Sequence, residues 1–513
     1  ANIVIKFKEL IVSNKEVSHK QNLEESRMKR NLLLIPALMV TAFFATTEIA
    51  KAADISFSGQ MLTRYEVNEH GLNNAHTFND SSQAGDFVVS RTRLNADVAV
   101  NDTTSAFIQM SRNATWGANT ELNANTGGAT GAANGSFQVS DNDPLLGLHQ
   151  AYFTLKNFAT LPVDLKLGRQ QIVLDGHRLF GNTIWTVGQQ THDAVRLDHK
   201  YDNMSFSYAY IVASEGGVPG NNATASTDKE VTSHMAYFKY AGILGGNMSI
   251  TYSGIIDPCG TSGTVCATEN TDNDMHTIGL RQAGQLYGID YRGEYYYQFG
   301  DADQDANGLT TGGTTAGSAT ERDAYMFGLR IGKTFKNVNM KPGITLWYDY
   351  LSGTSDADLN ATDQKWKSFN PVFDTGHKYY GLQDLFLGIG TGSESSGTAG
   401  LGLQDVAIKT KMSPAPGWTF KMDYHWFYTA EGLVTNSQRG LSGAGTSFDI
   451  ATPVGQGRSG SNEIGNEIDL TLVNKYNANT TITAGFSNYS TTEGFRNLRN
   501  VEGGGANWAY LMF

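Results

Sequence analysis

Charged side chains recur at every second residue in many segments of this 513-residue chain. Arg91 and Arg93 share one parity with Asp97, whereas Leu94 and Val98 have the other. Successive side chains of an extended strand point to opposite faces, so each segment would have one charged face and one apolar face. A sheet of such strands can line a watery passage with charges, and a lining of one sign selects solutes of the opposite sign.

Basic residues outnumber acidic ones on the charged face, which favours anions in transit. Each charge could equally pair with an opposite charge nearby, as Arg91 could with Asp97, or Arg196 with Asp198, and merely solvate the wall. The parity leaves both interpretations open for any single residue. The candidates that it gives for the lining are Arg64, Arg91, Arg93, Arg196, Lys200, Arg281, Arg292, Arg330, Lys409, Lys411 and Lys421.

The elements that must position these side chains are strands, because the alternation recurs from residue 54 to residue 513 and predicts 18 of them. Short links such as 101–103 alternate with long links such as 353–401 along the whole chain. This sorting is typical of an all-β, transmembrane, antiparallel up-and-down β-barrel with short periplasmic turns and long extracellular loops. Lipid cannot satisfy a free strand edge, so the sheet must close. At 18 strands, its lumen is too wide for its own side chains to fill.

The N-terminal residues have the pattern of an export signal. Met28 begins a basic stretch, an apolar run covers 32–45, and an A-x-A site ends at Ala52. We predict an upstream segment over 1–27, a signal peptide over 28–52 and a single barrel domain over 53–513; the alternative is a genuine N-terminal helix. An exported β-barrel is expected to reside in the bacterial outer membrane. The terminal Phe513 resembles the C-terminal signal that barrel-assembly machinery reads.

The charge and the cysteine content of the chain exclude some classes of partner and site. Residues 1–52 hold eight of the 38 Lys and Arg and five of the 50 Asp and Glu, so the rest of the chain is net −15, which argues against a nucleic-acid partner. Cys259 and Cys266 lie in a Gly/Thr-rich stretch and predict a small loop disulfide, since a CxxC-type redox or metal site does not fit their spacing. No P-loop, zinc or dinucleotide motif is present, and we predict no cofactor and no metal.

An enzyme of the barrel class would need a nucleophile, a base and an acid on adjacent strands. His425 with Asp423 is the nearest candidate, and the hydroxyl nearby, that of Thr471, belongs to an ordinary wall residue. We therefore predict that the chain is not an enzyme.

Several motifs, in order along the chain, resemble the alginate export family: residues 148–152, 167–171, 175–181 and 193–197, and most specifically 369–381 followed by 384–386. The resemblance implies an 18-stranded outer-membrane barrel with an Arg/Lys-lined pore that loops gate. Its best-known member secretes alginate, a polyuronate. The resemblance adds Arg169 and Arg178 to the lining candidates. Arg169 has the lipid-facing parity, so a bulge would have to redirect it, or its strand must end earlier.

The resemblance also implies that the segment around 369–386 folds into the lumen as a constriction; the alternative is a structured outer loop. The candidate residues of this constriction are Phe369, Asn370, Pro371, His377, Lys378, Tyr379 and Tyr380.

Three functions are compatible with these features. The first is a porin for small anionic or neutral solutes, including oligosaccharides; the second is a polysaccharide export pore, which the acidic balance of the chain disfavours; the third is a structural barrel or conduit around a partner protein. The expected partners are membrane lipid, the assembly machinery and the transported solute. The sequence leaves open the solute, the direction of transport, the gating state and the choice between monomer and trimer.

Overall fold

The computed structural model describes residues 54–68, 85–116, 147–214, 231–257, 274–303, 310–311, 319–359, 365–386, 398, 400–432, 439–440, 461–499 and 504–513. The predicted signal peptide, the segment that precedes it, and Cys259 and Cys266 lie outside these residues.

Long strands dominate the described residues, because apolar and polar side chains alternate through each of them. The eighteen long strands are β1 (Asp54–Asn68), β2 (Gly85–Ala99), β3 (Thr104–Thr115), β4 (Gly147–Leu155), β5 (Asp164–Gln170), β6 (His192–Tyr201), β7 (Met204–Ser214), β8 (Val231–Ile243), β9 (Gly246–Ile256), β10 (Met275–Leu286), β11 (Ile289–Asp303), β12 (Ala319–Thr334), β13 (Gly343–Leu351), β14 (Leu403–Met412), β15 (Trp418–Tyr428), β16 (Glu463–Lys475), β17 (Thr481–Thr491) and β18 (Gly505–Met512).

Each long strand pairs with its neighbours in the chain, and β18 pairs antiparallel with β1, with Trp508 opposite Asn68 and Met512 opposite Arg64. The sheet is therefore closed and has no free edge, which confirms the predicted antiparallel barrel of 18 strands.

The remaining regular elements of the described chain are short. They are α1 (Asp356–Leu359), α2 (Glu493–Arg499), the 3-10 turns Phe158–Thr160 and Gly376–Lys378, and the two-residue strands Thr310–Thr311, Lys365–Trp366 and Arg439–Gly440. Within the described ranges, no helix is both long and apolar enough to cross a bilayer.

The two faces of the wall differ as the alternation predicts. On β1, the outward Phe57 and Met61 are 70% and 78% exposed, whereas the inward Arg64 and Glu66 are 4% and 6% exposed. Large apolar side chains cover the outer face of the other strands in the same way, as Leu280 does on β10 and Leu346 on β13. An apolar belt around a closed sheet is the surface that lipid requires.

Exposure of the inner face changes along the barrel axis. On β1, Ser58 and Gln60 near the short-turn end are exposed, whereas Arg64, Glu66 and Asn68 toward the long-loop end are buried. On β14, Lys411 at the short-turn end is exposed and Asp405 is fully buried. The lumen is thus open at its short-turn end and filled nearer the long-loop end.

Two segments fill this part of the lumen. The first inward loop (171–191) joins β5 to β6, and the second inward loop (365–386) lies between β13 and β14. Phe180 and Phe373 form a bridge between them, and the amide of Gly181 donates to the Phe373 carbonyl at 2.7 Å. Their buried side chains form the core of the protein, together with inward residues of the wall; the core includes Phe180, Phe369, Tyr379, Tyr380 and Phe386.

Candidate pore constriction

The two inward loops meet at an aromatic stack near β1. Trp185 of the first loop stacks on His377 of the second, with ring centroids 4.2 Å apart and planes 15° apart. The guanidinium of Arg64 lies 3.5 Å from the Trp185 centroid and donates to the Trp185 carbonyl at 2.8 Å. Within the second loop, His377 Nδ1 is 2.8 Å from Asp384. Arg64 therefore contacts the first loop rather than open lumen.

Arg178 connects the first inward loop to strands β11 and β13 of the wall. Its guanidinium is fully buried and donates to Asp349 at 2.5 Å, to Glu294 at 3.3 Å and to the Tyr380 hydroxyl at 2.5 Å. It also lies over the Tyr379 ring, 3.7 Å from its centroid. Burial alone would lower the pKa of Arg178, but Asp349, Tyr380 and Glu294 hold it well above its usual value. Arg178 thus joins both loops and two wall strands.

Three further arginines of the wall, Arg281, Arg292 and Arg330, approach Glu294. Arg330 on β12 reaches Glu294 at 3.0 Å and Asp349 at 2.9 Å, with its guanidinium 3.4 Å from the Trp347 ring centroid. Arg292 on β11 lies directly opposite Arg330 in the strand register. Like charges at directly opposed positions destabilise a sheet, and the shared Glu294 offsets that repulsion.

Arg281 on β10 completes the group. It lies 3.5 Å from Asp175 of the first loop and 3.7 Å from Glu294. Asp175 also accepts hydrogen bonds from the hydroxyls of Tyr237 and Ser249, at 2.8 and 2.5 Å. The first loop is therefore attached to the wall through an acid as well as through Arg178.

Cations exceed carboxylates in this cluster. Lys378 of the second loop brings a fifth positive charge, and its ammonium donates to the Gly176 carbonyl at 3.3 Å. Partial burial, and then the charges of Arg292, Arg281, Arg178 and Arg330, lower the pKa of Lys378. Around the described cluster, five cations (Arg178, Arg281, Arg292, Arg330 and Lys378) face three carboxylates (Asp175, Glu294 and Asp349).

An acidic region occupies the next part of the wall, from β13 to β16. Asp349 lies opposite Asp405, and Asp423 lies opposite Asp469. His425 is fully buried and its Nδ1 is hydrogen-bonded to Asp405 at 2.8 Å, whereas Asp423 accepts from Lys409 at 3.2 Å. The sequence offered His425 with Asp423 as the nearest candidate for a catalytic set; in the structure the His425 imidazole is hydrogen-bonded to Asp405 of β14, and Asp423 to Lys409.

Glu467 on β16 holds the second inward loop by its backbone. One carboxylate oxygen accepts from the amides of Leu382 and Gln383, at 2.6 and 3.0 Å, and from the Ser487 hydroxyl at 2.9 Å. The Gln383 side chain donates to the Ala506 carbonyl at 3.0 Å. These bonds fix the C-terminal part of the second inward loop to β16 and β18.

Other inward candidates lie at two levels. Arg91 donates to the Thr186 carbonyl at 3.3 Å and Arg93 to Gln189 at 2.7 Å, so both contact the first loop. Arg196 pairs with Asp198 at 2.8 Å. Toward the open end, Lys200, Lys411 and Lys421 are exposed, and Lys411 lies directly opposite Lys421.

A cavity of about 490 Å³ lies between the first inward loop and strands β5–β8. Arg196, Lys200 and Lys239 line it from the wall, with Asp198 beside them, and Asp175 lines it from the loop.

Arg169 does not join the cluster. It lies on β5 opposite Asp193, forms a salt bridge with it at 2.6 Å, and has the outward parity, with both side chains about half exposed. β5 continues to Gln170 and its pairing with β6 has no bulge. Arg169 therefore lies on the outer face of the barrel, and the place in the pore that the resemblance implied for it is wrong.

The constriction candidates of the second inward loop all lie against the first loop or the wall. Phe369 and Pro371 are buried, and the Asn370 carbonyl accepts from Gln298 of β11 at 2.7 Å. Tyr379 donates to the Gly176 carbonyl. Sequence reasoning missed Trp185, Asp175, Glu294, Asp349 and Glu467 as site residues; parity placed the last three on the inner face but could not show which cations or amides they meet.

A closed barrel with an apolar belt and a charged, loop-filled interior defines a transmembrane β-barrel of the porin class, which resides in the bacterial outer membrane. The chain belongs to the alginate export family, whose sequence profile matches residues 54–502.

Solved structures with similarity to the chain include Pseudomonas aeruginosa OpdL, at 10% identity over 90% of this chain and 97% of that one, with a TM-score of 0.48. Pseudomonas aeruginosa OccK8 (OprE) has 12% identity over 91% and 98%, with a TM-score of 0.46. A BenF-like porin from Pseudomonas fluorescens Pf-5 has 12% identity over 91% and 99%, with a TM-score of 0.46. No curated protein matches the chain.

Proposed function

We propose that the protein is an outer-membrane channel that passes small anionic or neutral solutes, including oligosaccharides, and prefers anions. The observation that carries this proposal is the cluster between the two inward loops and β10–β13, where five cations surround three carboxylates. Charge at a narrow, poorly hydrated place acts strongly on a passing ion, because the surrounding medium screens it little.

The lysines nearer the open end support the same preference. Lys411 and Lys421 are exposed and lie directly opposite each other on the inner face. An anion that enters from this end would meet these charges before it reaches the loops. The long links predicted from the sequence hold the acidic excess of the chain, whereas the charged face of the strands is richer in basic residues.

Reversal potentials of the purified protein in planar bilayers under a KCl gradient test the proposal. We expect chloride to be favoured, and we expect Lys421→Gln to reduce that preference. Lys341→Gln removes the same charge from an exposed turn outside the lumen and should leave the potential unchanged. A cation preference in the unmodified channel would overturn the proposal.

The second candidate is export of an anionic polysaccharide, which family membership favours. A polymer path through the lumen would have to contact the cationic cluster over several sugar units. Uronate oligomers should then block the chloride current at low concentration. If the current is unchanged in their presence, export of that polymer is excluded, whereas the small-solute proposal is unaffected.

A further inference from the structure

A groove runs along the lipid-facing side of β14. In one register row of the outer face, Val406 of β14 lies between Tyr348 of β13 and Trp426 of β15. Large rings on both sides of a short aliphatic side chain leave a trough one strand wide, with about 10 Å between the two flanking strands. Its volume is about 580 Å³, and Leu329 and Ile408 also line it. The wall therefore has a recess within its apolar belt.

The two ends of the groove differ in polarity. Toward the long loops, Gln404 on the same face of β14 accepts from the Tyr348 hydroxyl at 2.8 Å and donates to the Thr429 carbonyl at 3.3 Å. That end therefore carries a polar side chain whose groups are already bonded. Toward the short turns, Lys333 lies two residues beyond the lining residue Ile331 on the same face of β12 and is exposed. A molecule in the groove would meet a cation at this end.

The short-turn end below the groove is strongly cationic. Segments 331–347 and 406–422 of β12–β15 and their turns hold six lysines and no carboxylate. Three of these lysines, Lys333, Lys336 and Lys341, are exposed on the outer face or in the turn that joins β12 to β13. Because no acid of these segments neutralises them, they form a patch of positive charge at the level where the apolar belt ends.

Exposed apolar side chains separate the lysines of this turn. Phe335, Val338 and Met340 are 42%, 51% and 44% exposed. The Lys333 ammonium lies 5.5 Å from the Phe335 ring centroid. Lysine side chains that extend over apolar surface while their ammonium groups stay in water are typical of the boundary between hydrocarbon and headgroups. The turn therefore suits a position beside lipid headgroups.

We propose that the groove and the three lysines bind one phospholipid with an anionic headgroup, with an acyl chain in the groove and the phosphate among Lys333, Lys336 and Lys341. The groove is continuous with the apolar belt that lipid covers. A trough one strand wide accepts a single chain, whereas the broad wall of a second barrel could not enter it. This lipid site is independent of the solute that the channel passes.

Selection of the lipid should come from its headgroup. An acyl chain finds similar apolar surroundings in the bilayer and in the groove, so the chain alone gives little preference for the site. The positive patch distinguishes an anionic headgroup from a neutral one. Each lysine near an anionic headgroup should tighten binding about fivefold.

Native mass spectrometry of the detergent-solubilised full-length protein tests the site. Dioleoylphosphatidylglycerol and dioleoylphosphatidylcholine have the same chains and differ in headgroup charge, and glycerol phosphate offers the headgroup without chains. We expect one bound phosphatidylglycerol, weaker binding of phosphatidylcholine and no competition from glycerol phosphate. Lys336→Gln should weaken phosphatidylglycerol binding about fivefold. Lys156→Gln, at an exposed position in another short link, should leave it unchanged.

Filling the groove tests the place of the acyl chain. Val406→Trp should abolish retention of phosphatidylglycerol. Ile278→Trp is the matched control, because Ile278 is exposed on the outer face of β10 and does not line the groove. Equal affinity for the two lipids, equal weakening by Lys336→Gln and Lys156→Gln, or unchanged retention in Val406→Trp would overturn the inference. Competition by glycerol phosphate would indicate a phosphate site without a lipid, and dimers lost in Val406→Trp would assign the groove to a second copy of the chain; either result also overturns it.

Discussion

Arg178 and Asp349 are 171 residues apart in the chain, yet their side chains meet inside the barrel at 2.5 Å. Both are essentially excluded from solvent. This ion pair ties the first inward loop to β13, and Tyr380, on the same guanidinium, ties in the second loop. A single side chain therefore contacts both loops and the wall.

Replacing Arg178 by Gln should release both loops. Removal of one partner from a buried ion pair typically costs about 3–5 kcal/mol, because the carboxylates left behind are unpaired. Hydrogen exchange of residues 171–191 and 365–386 should rise while strands distant from the cluster, such as β2 and β3, keep their protection. Arg169→Gln is the matched control, since its half-exposed pair with Asp193 contributes about 0–1 kcal/mol. Equal effects of the two variants would contradict the role of Arg178.

Gly181 allows the two loops to approach each other. A Cβ atom there would lie 2.1 Å from Thr375 Oγ1 and 3.0 Å from the Thr375 amide nitrogen. Gly181→Ala should therefore weaken loop docking by about 1–3 kcal/mol, as overpacking usually does. Gly188→Ala lies in the same loop, where a Cβ atom meets nothing within 4 Å. Single-channel recordings should show more open time for Gly181→Ala only; no difference between the variants would refute this contact.

Glu467 should hold the far end of the second inward loop. Glu467→Ala leaves the amides of Leu382 and Gln383 without their acceptor, at about 1–3 kcal/mol for a buried unpaired group. Exchange of these two amides should accelerate more than exchange near Phe369, which packs elsewhere. Glu463→Ala, at the end of the same strand, is the control. If the Leu382 and Gln383 amides exchange at the same rate in both variants, Glu467 does not hold the loop.

Reversing one charge of the opposed lysine pair should change selectivity in a salt-dependent way. Lys421→Glu turns the contact with Lys411 from repulsive to attractive, worth about 0.2–1 kcal/mol of stability. Chloride preference should fall at 0.1 M salt, where the screening length is about 10 Å, and differ little from the unmodified channel at 1 M, where it is about 3 Å. A change of equal size at both salt concentrations would show that the effect is not electrostatic.

Alkaline pH should favour docking of the second inward loop. The docked environment lowers the pKa of Lys378 through partial burial and four nearby arginines, so docking disfavours its protonated form. Docking is weakest while Lys378 is charged both docked and undocked. It strengthens as pH rises from the lowered value toward the ordinary 10.5.

In phosphate-free KCl, the closed fraction of single channels should therefore rise over this pH range. Lys378→Arg should remove the rise, because arginine stays charged throughout. The same pH dependence in both proteins would exclude Lys378 as its cause.

The strands of the wall were predictable from the sequence because each depends only on the alternation of side chains within a short segment. Each strand pairs with the next strand of the chain, and alternation such as Tyr295 and Tyr297 against Glu294 fixes the face of each residue. The alternation also placed Arg169 correctly on the lipid-facing side of β5, where the resemblance to the family had implied a place in the pore. The interior was not predictable in this way, since Arg178 meets Glu294 across 116 residues and Tyr380 across 202. No local pattern encodes which inward acid a loop arginine reaches.

The two inward loops contact each other through the Phe180–Phe373 bridge and the Trp185–His377 stack, and they contact the wall through buried side chains and through the pairing of Lys365–Trp366 with β12. The eighteen long strands nevertheless close on one another without any contribution from the loops. The barrel and its filling are therefore separate modules. Evolution can replace the filling to suit a new cargo without redesigning the membrane-spanning shell, and an engineer can transplant it by grafting two segments and their acidic anchors.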